Sequence, residues 1–313
     1  MQATKTPIGL IGLGNAGLAL AAPLVRHFTL VGYDRSEARR QLATAAGVSV
    51  VGSGAEGGRR RGILLVSLPA PRGSLAAASE LAEGALGGRL LVETSTVGPG
   101  DIARLQAAAV AQGASVVDAA IIGGVHKLAE GRTTFLVGAG AEDYTRAEPV
   151  LACAAEEIFH LGAPGAGMRA KLVNNAIAHT TMVMLLEGAA LAAKAGVPTE
   201  LFYKLMARES GLTRPLTHRF GERIRRQDFE GGMPTANARK DSALALELAR
   251  ELGVPLFTLQ ASHSVYEIAG HAGLDRLDYA AISRLWEQWL GIRFADAPTH
   301  STEGTGHESG HKH

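Results

Sequence analysis

Along the first half of the chain, short apolar runs alternate with stretches of helical periodicity, and from residue 168 the alternation stops. The runs Ile8–Leu13, Thr29–Tyr33, Ile63–Leu68, Leu90–Thr94, Ser115–Ala119, Thr133–Val137 and Ile158–Leu161 read as strands. With helical patterns between them, they predict a parallel sheet covered by helices. Beyond Gly162-Ala-Pro-Gly-Ala-Gly167, residues 168–195 are rich in alanine, leucine and methionine and meet no helix breaker before Gly196-Val-Pro198. This predicts one helix of about 28 residues, roughly 42 Å long. Helical patterns continue to Gly291, among them Thr235–Leu252 and Leu256–His271. The expected organisation is a doubly wound α/β domain over residues 1–163, an all-helical domain over 164–295 reached through the long interdomain helix, and a polar tail over 296–313. In such sheets, ligands bind beyond the carboxyl ends of the strands. Those ends carry Asp34, Ser67-Leu68-Pro69, Glu93-Thr94-Ser95-Thr96, and Asp118 with the loop to Gly124. The first turns of a helix joining two domains are expected at the cleft, a common location for substrate.

The first strand–helix turn narrows the fold to the Rossmann type. Gly12, Gly14 and Gly17 fit the G-x-G-x-x-G spacing, with Leu13, Asn15 and Ala16 between them. The first glycine permits a tight turn, the second lets backbone approach a pyrophosphate, and the third packs helix on strand. Amides at the start of the helix Ala16–His27 then face the anion. Asp34 ends the next strand twenty residues beyond Gly14, where a carboxylate accepts from ribose hydroxyls and repels a 2′-phosphate. The expected cofactor is NAD. NADP is the alternative, because Arg35-Ser36 supplies the guanidinium and hydroxyl that a 2′-phosphate would use.

Composition adds mainly exclusions. At 313 residues the chain is long enough for two cores, and a net charge of +1 gives no global field for nucleic acid or an anionic membrane. The clusters Arg59-Arg60-Arg61 and Arg223 to Arg226 are expected on solvated faces. Cys153 is the only cysteine, so no internal disulfide forms and a reducing compartment suits the chain. Lys5 followed by the apolar stretch Ile8 to Val25 mimics a secretory signal. Its glycines at dinucleotide spacing and the following strand ending in Asp34 argue instead for a cytoplasmic protein without a membrane span. The tail from Ala297 carries His300, His307, His311 and His313 at irregular spacing; it is expected to be disordered and to hold no metal.

Two polar residues interrupt the apolar start of the long helix. Lys171 and Asn175 are four apart and project from one face. Periodicity leaves two readings: a snorkelling lysine with an asparagine bonded to backbone, or an ammonium beside a reacting alcohol or carbonyl. In the second reading Lys171 is a general base once burial or a neighbouring cation, for which Lys240 is a candidate, lowers its pKa.

Taken together, the motifs Gly9-Leu-Ile-Gly-Leu-Gly-Asn-Ala-Gly17, Ser67-Leu-Pro69, Glu93-Thr-Ser-Thr96, Asp118-Ala with Gly123-Gly124, Gly165-Ala-Gly-Met-Arg-Ala-Lys-Leu-Val-Asn-Asn175 and Lys240-Asp241 resemble the β-hydroxyacid dehydrogenases. This is the group of 3-hydroxyisobutyrate dehydrogenase and tartronate semialdehyde reductase, related to 6-phosphogluconate dehydrogenase. The resemblance implies hydride transfer between a nicotinamide cofactor and a small hydroxy acid or semialdehyde, without a metal. It implies Lys171 as the catalytic lysine, Asn175 as the amide orienting substrate, and Ser95 as a hydroxyl near the substrate's acid group. Thr96, Leu68, Pro69 and Lys240 become cofactor contacts. One position departs from the family pattern: Ile122 stands where a serine usually helps hold the carboxylate. That change removes a donor and adds apolar bulk, although the Gly123 and Gly124 amides can still bind an anion. Carboxylate, apolar and other anionic substrates all remain compatible. An imine reductase on the same plan and a non-catalytic NAD-binding protein are the competing readings, and a homodimer or homotetramer is expected from the exposed alanine-rich helix.

Overall fold

The computed structural model describes residues 7–58, 62–69, 72–74, 87–208 and 211–296. The Arg59-Arg60-Arg61 cluster and the histidine-containing tail lie outside these residues. The chain divides into two compact units between Ile177 and Ala178.

The first unit is built on eight strands: β1 Pro7–Ile11, β2 Thr29–Tyr33, β3 Ser49–Val50, β4 Ile63–Val66, β5 Leu90–Glu93, β6 Ser115–Ile122, β7 Thr133–Gly138 and β8 Ala155–His160, in the order β3-β2-β1-β4-β5-β6-β7-β8. The chain builds outward from β1 to β3 and then crosses back to β4. This leaves a topological switch point between β1 and β4, where a ligand crevice opens in a doubly wound sheet. Successive strand residues face opposite sides, so Leu10, Leu65, Val92 and Val117 join one buried cluster while Ile11, Leu64, Leu91 and Val116 join another. Helix α1 (Asn15–Leu24) closes the first face through Leu20 and Leu24, and Leu105 and Ala109 of the helix Pro99–Val110 close the second. Burial on both faces explains why the strands read as continuous apolar runs.

The sheet departs from the expected all-parallel form at one edge, where β7 runs antiparallel to β6. Only residues 123–132 connect them, too few for the crossover of a dozen or more residues that a parallel pair needs.

The long helix spans Ala166–Lys194, 29 residues, close to its sequence-predicted bounds. The second unit continues with Thr199–Met206, a π-helix at Pro215–Ile224, Thr235–Glu251, Phe257–His271, a short 3₁₀ turn at Tyr279–Ile282, and Ser283–Leu290. Asp278 is fully buried here and accepts from Met233 N at 3.1 Å and Ala280 N at 2.9 Å, with Arg219 Nε 3.2 Å away. Arg225 and Arg226 are exposed, as the sequence suggested, and beside them Arg223 is half-buried. Its guanidinium donates to Glu230 O at 2.9 Å and lies 3.7 Å from Asp278, because a buried carboxylate draws counter-charges inward.

Candidate active site

The glycine loop follows β1 directly. Gly12 has φ +92°, donates to Tyr33 O at 2.9 Å, and has Ser67 O only 2.1 Å from where a Cβ would lie. A Cβ at Gly17 would sit 2.0 Å from Gly12 O, so this position packs helix against turn. Gly14 is different: nothing lies within 4 Å of its Cβ position, and it forms the N-cap of α1. Unpaired amides at a helix start with an open approach form an anion cradle, and this is the arrangement a pyrophosphate requires.

Asp34 closes the turn from the side. Its Oδ2 accepts from Leu13 N and its Oδ1 from Ser36 N, both at 2.8 Å. Leu13 itself is buried in the core, so its contribution to the loop is this amide. Asp34 and Arg35 border a cavity of about 800 Å³ that also takes in Gly12, Gly14, Asn15 and Ala16, then Leu68 and Pro69 beyond β4, then Ser95 and Thr96 beyond β5. Arg39 reaches the same end of the cavity. The sequence reading missed it, although Ser36 signals a helix start that brings a residue three further on back toward Asp34; its Oγ accepts from Arg39 N at 3.4 Å. Thr96 does not cap the following helix. Gly98 takes that position, with Asp101 accepting from Gly98 N at 2.9 Å.

At the far end Ser95 is buried and doubly tied: its Oγ accepts from Leu68 N and its N donates to Glu93 Oε1, both at 2.8 Å. Ile121, Gly124, Val125 and Leu128 form the neighbouring wall, and Lys171 projects into the cavity from the long helix. Lys171 is half-buried, and loss of water around its ammonium holds its pKa below the ordinary 10.5.

Ile122, Gly123 and Asn175, singled out from sequence, are not part of the cavity wall. Ile122 packs into the cluster of Val97, Ile102, Ala120, Leu136 and Met168. Gly123 makes the left-handed turn that starts the next short helix. Asn175 lies one turn beyond Lys171 on the same helix, half-buried. Lys240 belongs to the second unit, where its Nζ lies 2.9 Å from Asp241 Oδ1 on an exposed face. Among the described residues no group of three or more His, Cys, Asp or Glu is gathered as metal ligands would be.

Comparison with known proteins assigns the chain to a family. Residues 7–162 match the family model described as the NAD binding domain of 6-phosphogluconate dehydrogenase, and residues 165–286 match that of the NAD-binding of NADP-dependent 3-hydroxyisobutyrate dehydrogenase. The chain is 29% identical to 2-(hydroxymethyl)glutarate dehydrogenase from Eubacterium barkeri, covering 91% of this chain and 96% of that one. It is 30% identical to L-threonate dehydrogenase from Cupriavidus necator, covering 89% and 95%. An imine reductase structure from Pseudomonas sp. aligns with a TM-score of 0.83 over 90% of this chain and 100% of that one, at 23% identity, which is a likeness of fold. The chain therefore belongs to the β-hydroxyacid dehydrogenase family, whose members are NAD(P)-dependent oxidoreductases.

Proposed function

We propose that the protein interconverts a small 3-hydroxy acid and its semialdehyde or ketone, with Lys171 as the group that takes and returns the hydroxyl proton. The observation that carries this reading is a half-buried lysine of lowered pKa in the same cavity as the glycine loop and Ser95. When bound, the nicotinamide cofactor accepts or supplies hydride. The amides from Gly14 to Ala16 at the start of α1 hold its pyrophosphate, Asp34 accepts from its ribose hydroxyls, and Leu68, Pro69 and Thr96 form its wall. NAD is preferred, since Asp34 stands where a 2′-phosphate would bring negative charge. Ser95 and the Gly124 amide receive the anionic end of the substrate beside Lys171. Neutral Lys171 Nζ removes the proton during oxidation, and its ammonium returns the proton during reduction.

Imine reduction on the same fold is the second reading, favoured by the structural likeness. A panel of short 3-hydroxy acids with NAD, run beside cyclic imines with NADH and NADPH, separates the two by absorbance of the reduced cofactor. We expect turnover with a hydroxy acid and none with the imines. Reduction of imines alone would replace the proposed reaction, and measurable NAD binding with silence throughout would make the protein a non-catalytic binder. A lone cysteine, Cys153, suits the cytoplasm as the place of action.

The working form is a homo-oligomer. The helix Ala166–Lys194 is long and apolar enough to cross a membrane, with mean hydropathy 1.5 over an 18-residue window, of which only 6% is buried. Met182, Val183, Met184, Leu186, Leu201, Tyr203 and Leu205 are each 40% or more exposed. Summed, their exposed area is on the order of 700 Å², close to the roughly 800 Å² per partner of a standard interface. Glu187 lies in the last third of this helix and accepts from Thr258 N at 2.9 Å, in the first turn of the helix Phe257–His271. That polar anchor suits a second copy as cover better than lipid. Light scattering on the eluting protein is expected to give at least twice the chain mass without detergent. A monomer, or material recovered only with vesicles, would contradict this.

A further inference from the structure

Asp118 is fully buried in β6, beside Glu93 on β5 and opposite Gly138 on β7. Its Oδ1 accepts from Gly165 N at 2.5 Å and its Oδ2 from Met168 N at 2.7 Å. These amides belong to the first turn of the long helix and its lead-in, where N–H groups have no partner within the helix and the helix dipole favours a negative charge.

The surroundings are cut to let the carboxylate reach them. A Cβ at Gly138 would lie 2.4 Å from Asp118 Oδ1 and 2.8 Å from Ala166 N. A Cβ at Gly167 would lie 2.3 Å from Leu136 O and 2.9 Å from Asp118 Oδ2. The first turn thus rests directly on the backbone of β7, and Met168 beside it is fully buried. Residues four apart share a helix face, so the rotation fixed at Gly167 is inherited one turn later by Lys171.

We propose that Asp118, seated between Gly138 and Gly167, is the positioning residue for Lys171: it sets the height and rotation of the helix so that the ammonium enters the cavity half-desolvated. The proposal rests on Lys171 being the proton carrier only for its effect on rate; its effect on the lysine's surroundings stands by itself. A methyl group at Gly167 requires a displacement of roughly 1 Å, and misplacing a reacting group by that much costs on the order of 10²-fold in rate. An Asp118→Asn side chain would turn an N–H donor toward N–H donors and remove the charge at the helix start.

The test compares Asp118→Asn and Gly167→Ala with the wild-type full-length chain. Lysines are reductively methylated with ¹³C, Lys171 is assigned by its loss in Lys171→Ala, and each resonance is titrated. We expect the Lys171 midpoint to lie below 10.5 in the wild type and to move up toward it in both variants. The kcat should fall by about 10- to 100-fold and NAD affinity should stay within about twofold. Gly167→Ala keeps the carboxylate, so it reports even where Asp118→Asn fails to fold. A lower melting temperature with the Lys171 midpoint and kcat unchanged would reduce Asp118 to a structural cap and overturn the proposal. A shifted midpoint in an enzyme whose Lys171→Ala variant keeps full turnover would uphold the positioning role and reject the catalytic reading of the lysine.

Discussion

Lys171→Ala is expected to lower turnover by roughly 10³-fold, within the 10²- to 10⁴-fold range for losing one general acid–base group. NAD affinity should change little. The physical reason is a division of labour along the chain. The groups proposed to hold the dinucleotide sit on the turns after β1, β2, β4 and β5, whereas the lysine comes from the long helix. Removing its side chain leaves the glycine loop and the Asp34 hydrogen bonds intact. Lys171→Arg sharpens the result. A guanidinium keeps the positive charge but does not give up a proton in the accessible pH range. If the lysine served only as a fixed charge, arginine would preserve much of the rate. We expect arginine to be nearly as inactive as alanine in oxidation, measured as kcat at saturating cofactor and substrate.

The second large effect is expected at Asp34. Alanine there removes an acceptor for the adenosine ribose and strips Leu13 N and Ser36 N of their partner. A charge-assisted hydrogen bond contributes about 1.5–3 kcal/mol, so kcat/KM with NAD should fall by on the order of 10²-fold. Arg35 and Arg39 border the same end of the cavity, and with the carboxylate gone they are expected to favour a 2′-phosphate. The ratio of kcat/KM for NAD to that for NADP should therefore swing toward NADP. An unchanged ratio would remove Asp34 from cofactor selection.

How much of this was legible in the sequence depended on the length of each signal. The helix Ala166–Lys194 could be placed to within two residues because nothing in it breaks helical geometry. β3 escaped notice because Ser49–Val50 is too short to show a period. The reversed direction of β7 escaped because alternation is the same whichever way a strand runs. The same pleat explains the isoleucines. Motif comparison pointed to Ile122, but alternate residues of β6 face opposite sides, so Ile121 reaches the cavity wall while Ile122 packs with Met168. Asp118 was visible only as a member of a motif. Its reach to Gly165 and Met168, some fifty residues on, exists only in three dimensions.

One lysine that exchanges a proton is central to the proposed reaction, and the pH dependence of kcat tests that role most directly. Burial lowers the Lys171 pKa below 10.5, and oxidation needs the neutral amine. The wild-type oxidation rate should therefore rise with pH through a limb below 10.5 and level off above it, while the reduction rate falls through the same limb. In Lys171→Ala the residual rate should lack that limb. A limb that persists unchanged in the variant, or a wild-type profile with no limb on that side, would contradict the assignment of Lys171 as the proton carrier.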